Sequence, residues 1–234
     1  MKIFLTICAV IIFTNVSVSQ TRNELWGKYN ISAKINVHFS AAVDINFRQQ
    51  ANYLTNDKTF YRLPLMRGSR LWLYYNLQKN YAVLGSFLLA KTFMLQNEKA
   101  ELLNATETQI DLGLTKKIKL HNVENRNRLL LERREICPDN KSAIHQFRYR
   151  LQNSLEIPLK AFSASNKLNF ILQNEVLFKT QQSSTGFDQN RTACILQWRY
   201  NRFGYQVGFQ KGFQHLTDQS ISKNQVLLTL NCSL

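Results

Sequence analysis

Apolar and polar side chains alternate with a period of two along nearly the whole chain from Tyr29 onward. In 29–39 the apolar parity is Tyr29, Ile31, Ala33, Ile35, Val37 and Phe39, set against Asn30, Ser32, Lys34, Asn36 and His38. Ten further runs follow: 42–50, 65–77, 80–95, 106–120, 124–136, 143–157, 167–180, 187–200, 203–216 and 226–234. A period of two places alternate side chains on opposite faces of a strand, and the 3.6-residue spacing of a helix is nowhere sustained. Only 80–95 is apolar on both parities. Pro64, Pro138 and Pro158 fall at a strand start, in a loop and at a strand end, where they break no central ladder.

Alternation also describes a soluble sandwich or a lipocalin-like binder, with apolar side chains inward. Three features favour the opposite arrangement. Most runs are about 11–15 residues, against about 5–6 for a globular strand, and a tilted membrane-crossing strand needs about 9–11 plus its ends. Tyr74, Tyr75, Tyr81, Trp198, Tyr200, Phe203 and Tyr205 cluster beside short turns, where an interfacial girdle belongs. The polar parity carries Arg48, Arg70, Arg126, Arg128, Arg134, Arg148, Arg150, Arg191 and Arg199, with Asp44, Asp111, Glu132, Glu156 and Glu175 on the same face. Arginines with fewer carboxylates suit a narrow polar lumen in which bidentate pairs tie strands together. Gly204, Gly208 and Gly212, on the polar parity of 203–216, leave room for such side chains.

The expected fold is therefore all-β: a single antiparallel up-and-down transmembrane β-barrel. Longer connections such as 54–64, 96–104, 137–143, 181–187 and 215–223 alternate with short ones at 40–41, 78–80, 121–124 and 201–204, and 160–166 is an exception on the short side. Eleven runs are visible, whereas bacterial barrels have an even number of strands. About 12 strands are expected, with 22–27 as a short first strand, or 10 as the second choice.

Residues 1–19 change the picture of location. Lys2, an apolar stretch from Ile3 to Phe13 and the small-residue site Ser17-Val18-Ser19 read as a secretory signal, leaving 20–234 as one barrel domain. The chain carries 30 Lys and Arg against 15 Asp and Glu; without Lys2 this is 29 against 15, or +14. Secretion makes nucleic acid an unexpected partner, so the positive charge points to lipid phosphates or small anionic solutes. Of the four cysteines Cys8 lies in the expected signal; the remaining Cys137, Cys194 and Cys232 are odd in number and widely spaced, which fits neither a disulfide framework nor a metal site; no cofactor is expected.

The expected function follows the polar face: a non-catalytic barrel with a lumen network of Arg48, Arg70, Arg126, Arg128, Glu132, Arg134, Arg148, Arg150, Glu156, Glu175, Arg191 and Arg199. It serves as structure or as a weakly anion-selective, porin-like narrow pore. An outer-membrane lipid hydrolase is the alternative. His145 could pair with Ser142, but no G-x-S-x-G motif supplies a nucleophile. His38, His121 and His215 offer no clearer base. The soluble secreted binder is the second alternative. Lys58, Arg62, Arg67, Lys99, Lys141 and Lys223 are candidates to grip lipid phosphates at the rims.

Several segments are similar to a known family. "LWGKYNISAKI", "NFRQQ", "HQFRYRLQNSLEIPL", "LQNEVLF" and "FDQNRTACILQWRYNRFGYQVGF" resemble the domain-of-unknown-function family 2490 of bacterial outer-membrane barrels, over roughly 26–234. Trp26, the Arg148–Arg150 triplet, Asn174–Glu175 and Asp188–Arg191 carry most of the likeness. The resemblance implies a barrel exported to the outer membrane, met there by the barrel-assembly machinery and by outer-membrane lipids, with no known reaction. The chain departs from many outer-membrane proteins in ending on Leu234 instead of an aromatic residue.

Overall fold

The computed structural model describes residues 20–55, 58–78, 80–95, 99, 101–139, 141–163, 165–181, 184–215 and 220–234. The expected signal segment lies outside the described residues. Eleven strands form one closed barrel: β1 (Gln20–Lys34), β2 (Phe39–Gln50), β3 (Leu63–Gln78), β4 (Tyr81–Leu95), β5 (Leu102–Leu120), β6 (Val123–Pro138), β7 (Ile144–Ser163), β8 (Asn166–Gln181), β9 (Ser184–Tyr200), β10 (Phe203–His215) and β11 (Ser220–Ser233). Each periodic run corresponds to one strand, but the first is placed too far along: 35–38, expected inside it, form the β1–β2 turn, and 39–41, including the expected connection at 40–41, open β2. The count falls between the two expected because 22–27 extends β1 backward instead of forming a strand of its own. Neighbours along the chain pair antiparallel, and β1 closes on β11 in parallel register from Gln20↔Ile221 to Ser32↔Ser233. That parallel seam is what permits an odd number.

The turns at one end are tight. β5–β6 and β9–β10 are two-residue connections, and His121 (φ 55°) and Asn201 (φ 51°) take the left-handed conformation that such turns require. The apparent exception at 160–166 disappears. β7 passes Pro158 through a register shift and runs on to Ser163, so only two residues link it to β8. The connection at 181–187 likewise shortens to two residues, because β8 and β9 continue into it.

The apolar parity faces outward. Ile45, Leu71, Phe87, Leu112, Leu151 and Val207 are each 46–61% exposed on six different strands, which a water-soluble monomer does not sustain as a continuous belt. At the short-turn end Trp198 packs on Tyr200 and Tyr205, and Phe39 on Tyr75. Trp198 Nε1 donates to Asn166 Oδ1 at 2.7 Å. Tyr74 departs from the expected girdle: it sits on the inward parity of β3 and stacks on the buried Trp72.

Inside, apolar residues form three small islands, Trp72 with Ala42, Leu84 and Leu130, Met66 with Leu88 and Ala90, and Ile171 with Ala193 and Ile195. In the second island β3 and β4 approach closely. A Cβ on Gly68 would lie 2.5 Å from both the Leu89 carbonyl oxygen and the Ala90 Cβ. Backbone cannot yield as a side chain does, so Gly68→Ala should lower unfolding stability by about 1–3 kcal/mol, read as an earlier denaturant midpoint. An unchanged midpoint would show that the strands separate freely there. On β10 only Gly212 borders long cations, Arg191 and Lys223; the space beside Gly208 belongs to Ile195.

Candidate functional site

Every inward strand position can reach across the lumen, and the charged ones assemble into layers. Near the middle, Glu132 is fully buried and lies 2.6 Å from Arg150 Nη2 and 3.8 Å from Arg148 Nη1. Glu175 meets Arg191 at 3.1 Å and Arg150 at 3.5 Å. Asp111 accepts from Ser86 Oγ and Gln109 Nε2 and lies 3.4 Å from Arg70. Glu132 ties β6 to β7, Glu175 ties β8 to β7 and β9, and Asp111 ties β5 to β3 and β4, so the network laces neighbouring strands together.

Toward the long-connection end the lumen is packed with polar side chains. Glu24 accepts from Trp26 Nε1 and Gln225 Nε2, both at 2.7 Å, and Gln225 accepts in turn from Gln210. Asp188 holds Arg148 at 3.0 Å, and Glu107 holds Arg134 at 2.8 Å. Glu24, Gln50, Asp188, Gln189 and Gln225 are each no more than 2% exposed.

Toward the short turns the lumen opens. A cavity of about 500 Å³ there is bounded by Tyr74, Arg126, Arg199, Gln197 and Asn231. Arg199 pairs with Glu156 at 2.9 Å and Arg126 with Glu124 at 2.9 Å. Lys28, Asp44, Trp72, Arg128 and Gln206 line both this vestibule and a deeper cavity of about 310 Å³. The two therefore form one funnel, with its narrow end against the glutamine-rich layer.

All twelve residues expected in the lumen network are inward-facing, but they divide. Arg48, Arg70, Arg128, Arg134, Arg148, Arg150, Glu175 and Arg191 line the deep cavity, Glu132 stands behind two of them, and Arg126, Glu156 and Arg199 belong to the mouth. Eight cations line the deep cavity once Lys28 is included. The carboxylates that line it or pair with those cations are Asp44, Glu107, Asp111, Glu132, Glu175 and Asp188. Eight against six leaves an excess of two positive charges. The excess has an address. Among the described residues, Arg48, Arg128 and Lys28 form no ion pair; Lys28 has Asp44 as a charged neighbour, whereas Arg48 lies 3.8 Å over the Trp26 ring and Arg128 lies 5.7 Å from that of Trp72.

A model of the family described as "Protein of unknown function (DUF2490)" matches residues 23–226. The chain belongs to this family. Among curated proteins none matches it. Among solved structures the DUF2490 chain is similar in fold to LpxR from Salmonella typhimurium, with 8% identity and a TM-score of 0.50, covering 82% of this chain and 83% of that one. The fold likeness agrees with the closed barrel described above.

Three groups of this DUF2490 barrel's lumen escape the periodic reading. Glu24, Trp26 and Lys28 precede the first run, yet share its inward parity once β1 begins at Gln20. Asp188 sits where the β8–β9 register shifts between Leu177 and Phe178, so Asp188 and Gln189 are both buried and alternation conceals them. Lys223, expected at the rim, takes the inward parity of β11 beside Gly212 and has Glu24 and Arg22 among its charged neighbours. His145, the candidate base, is exposed on the outward parity of β7 and makes no hydrogen bond to Ser142 among the described residues.

Proposed function

We propose that this chain is an integral outer-membrane barrel whose lumen is a blind, cationic funnel that binds a small multivalent anion entering from the short-turn side. The pairing of Arg48 and Arg128 with tryptophan rings instead of carboxylates carries this reading. A guanidinium without a carboxylate in a confined, low-dielectric space attracts an anion far more than the same group in water. The paired arginines Arg70, Arg134, Arg148, Arg150 and Arg191 line the same cavity with their charge balanced by carboxylates, so the excess stands at the guanidinium groups that have none. Outside, the exposed belt supplies the contact with hydrocarbon, and the aromatic cluster at the short turns supplies the interfacial girdle. The packed layer around Glu24, Gln210 and Gln225 restricts passage to the other side, so any conduction is small and favours anions.

Two measurements test the proposal. Membrane fractionation with heat-modifiable gel migration tests the barrel's solvent: extraction only by detergent is expected, and a stable detergent-free monomer would overturn the reading. Calorimetric titration of the detergent-solubilised barrel with inorganic pyrophosphate tests the funnel. Saturable binding is expected, and Arg48→Gln or Arg128→Gln should each weaken it by about tenfold or more, since a charge-assisted hydrogen bond contributes about 1.5–3 kcal/mol. Absence of saturable binding by the wild-type barrel, or cation preference in single-channel recordings, removes the anion site.

A further inference from the structure

The outward face is not uniformly apolar. Following hydrogen-bonded register around the wall, Lys116 pairs with Asn127, Asn127 with Asn153, Asn153 with Asn174, Asn174 with Thr192, and Thr192 with Lys211. Asn224 and then Asn23 carry the row onward to β1, and Tyr81 precedes it on β4. All share the parity of the exposed apolar residues on their strands. Side-chain hydrogen bonds run along the row. Asn153 Nδ2 donates to Asn127 Oδ1 at 2.8 Å, Asn174 Nδ2 to Thr192 Oγ1 at 2.9 Å, and Asn224 Nδ2 to Asn23 Oδ1 at 3.1 Å.

Barrel strands tilt by roughly 35–45° to the axis, so a row perpendicular to them winds obliquely from one rim to the other. Tyr81 opens β4 at the short-turn end, Lys116 lies four residues before the end of β5, Thr192 lies eight before the end of β9, and Asn23 lies three after the start of β1 at the opposite rim. The row crosses the belt at its middle. On β7, Phe147, Tyr149 and Leu151 lie on one side of Asn153 and Leu155, Ile157 and Leu159 on the other. The flanking rows stay largely apolar, with Leu114, Leu129, Leu151 and Val176 on one side. A groove of about 310 Å³ opens over the row between those residues and Lys116, Asn127, Asn153 and Asn174.

A polar side chain facing hydrocarbon is unfavourable unless something polar meets it. The row contains two ammonium groups, no carboxylate, and amides that both donate and accept. That is the chemistry of an anionic phosphate headgroup, and the apolar rows beside it suit acyl chains. We propose that this seam is a headgroup track: phosphate-headed lipids enter at its ends and slide their headgroups along it through the hydrocarbon region. The proposal rests on membrane embedding, which flotation of the reconstituted barrel with vesicles checks independently of lipid movement. A second copy of the chain fits less well, because the amides already bond to one another within one wall.

The experiment uses phosphatidylcholine vesicles carrying a trace of fluorescent phosphatidylglycerol, with loss of the dithionite-protected inner-leaflet signal reporting transbilayer exchange. The folded barrel should speed exchange about tenfold over protein-free vesicles, equivalent to lowering the barrier by about 1.4 kcal/mol. The triple variant Asn127→Leu, Asn153→Leu, Asn174→Leu, which merges the seam with its neighbours, should abolish the gain. Lys116→Gln with Lys211→Gln should remove the preference for phosphatidylglycerol over fluorescent phosphatidylcholine and serves if the triple variant does not fold. No acceleration by inserted wild-type barrel, equal rates in wild type and triple variant, or an unchanged preference in the lysine variant overturns the track. So does disulfide-linked dimerisation through Asn153→Cys in vesicles without lipid exchange, which would assign the seam to a second copy.

Discussion

Glu132→Ala should destabilise the barrel by about 3–5 kcal/mol, the range expected when one partner of a buried ion pair is removed. Glu132 has no exposed surface and lies 2.6 Å from the Arg150 guanidinium and 3.8 Å from that of Arg148. Without it both arginines remain buried on β7. Arg150 retains only Glu175, which Arg191 also claims, and Arg148 retains Asp188. The penalty is thus not the loss of one attraction but of charge balance across β6, β7, β8 and β9. Glu156→Ala provides the contrast. Its partner Arg199 has 46% of its side chain exposed at the mouth, and such pairs contribute about 0–1 kcal/mol. Equilibrium unfolding in detergent should separate the two variants clearly. Equal midpoints would show that water reaches Glu132 freely and that the lumen is wide.

The same difference explains what could be read from the chain before any coordinates. Strand identity and inward parity are local properties, since a residue two positions along faces the same side, and they placed the twelve expected residues on the inward face, though not Glu24, Lys28 or Asp188. Partnership is not local. Nothing in the alternation says that Arg150 pairs with Glu132 while Arg128, on the same face, rests near Trp72; that depends on cross-barrel register. Asp188 was hidden because a register shift suspends the alternation at that point. Strand number depended on closure: eleven runs give a barrel only if β1 and β11 pair in parallel, and no periodic pattern distinguishes a parallel partner from an antiparallel one. The polar seam was present as outward asparagines on five strands, yet it becomes continuous only when the strands are placed in register.

The interior and the exterior consequently share one logic of register, with opposite signs of solvent. Inward rows converge, so charge can be paired across a short span, and the surplus at Arg48 and Arg128 is confined to the funnel. Outward rows diverge, so in the proposed membrane setting a polar residue there can be satisfied only by its neighbour on the next strand or by a lipid headgroup. Asn153 does the first; Lys116 and Lys211, flanked by the belt, leave room for the second.

Leu112→Arg should cost about 2–4 kcal/mol in a bilayer, the value for a cation placed on the lipid face near the midplane of a barrel, falling to about 0–1 kcal/mol near an interface. Leu112 is 61% exposed on β5, eight residues from the short-turn end of a 19-residue strand, and its cross-strand neighbours are Gly85 and Leu131. In a water-soluble barrel an exposed leucine of this kind could become arginine with almost no penalty. The sign of the result therefore reports which solvent touches the belt. Denaturant unfolding from phospholipid vesicles should show the loss, while Lys116→Arg, which keeps a cation already present on the seam of the same strand, should leave the midpoint within about 0.5 kcal/mol. A neutral Leu112→Arg would mean that the apolar rows face water or another protein surface, and the membrane assignment would fall with it.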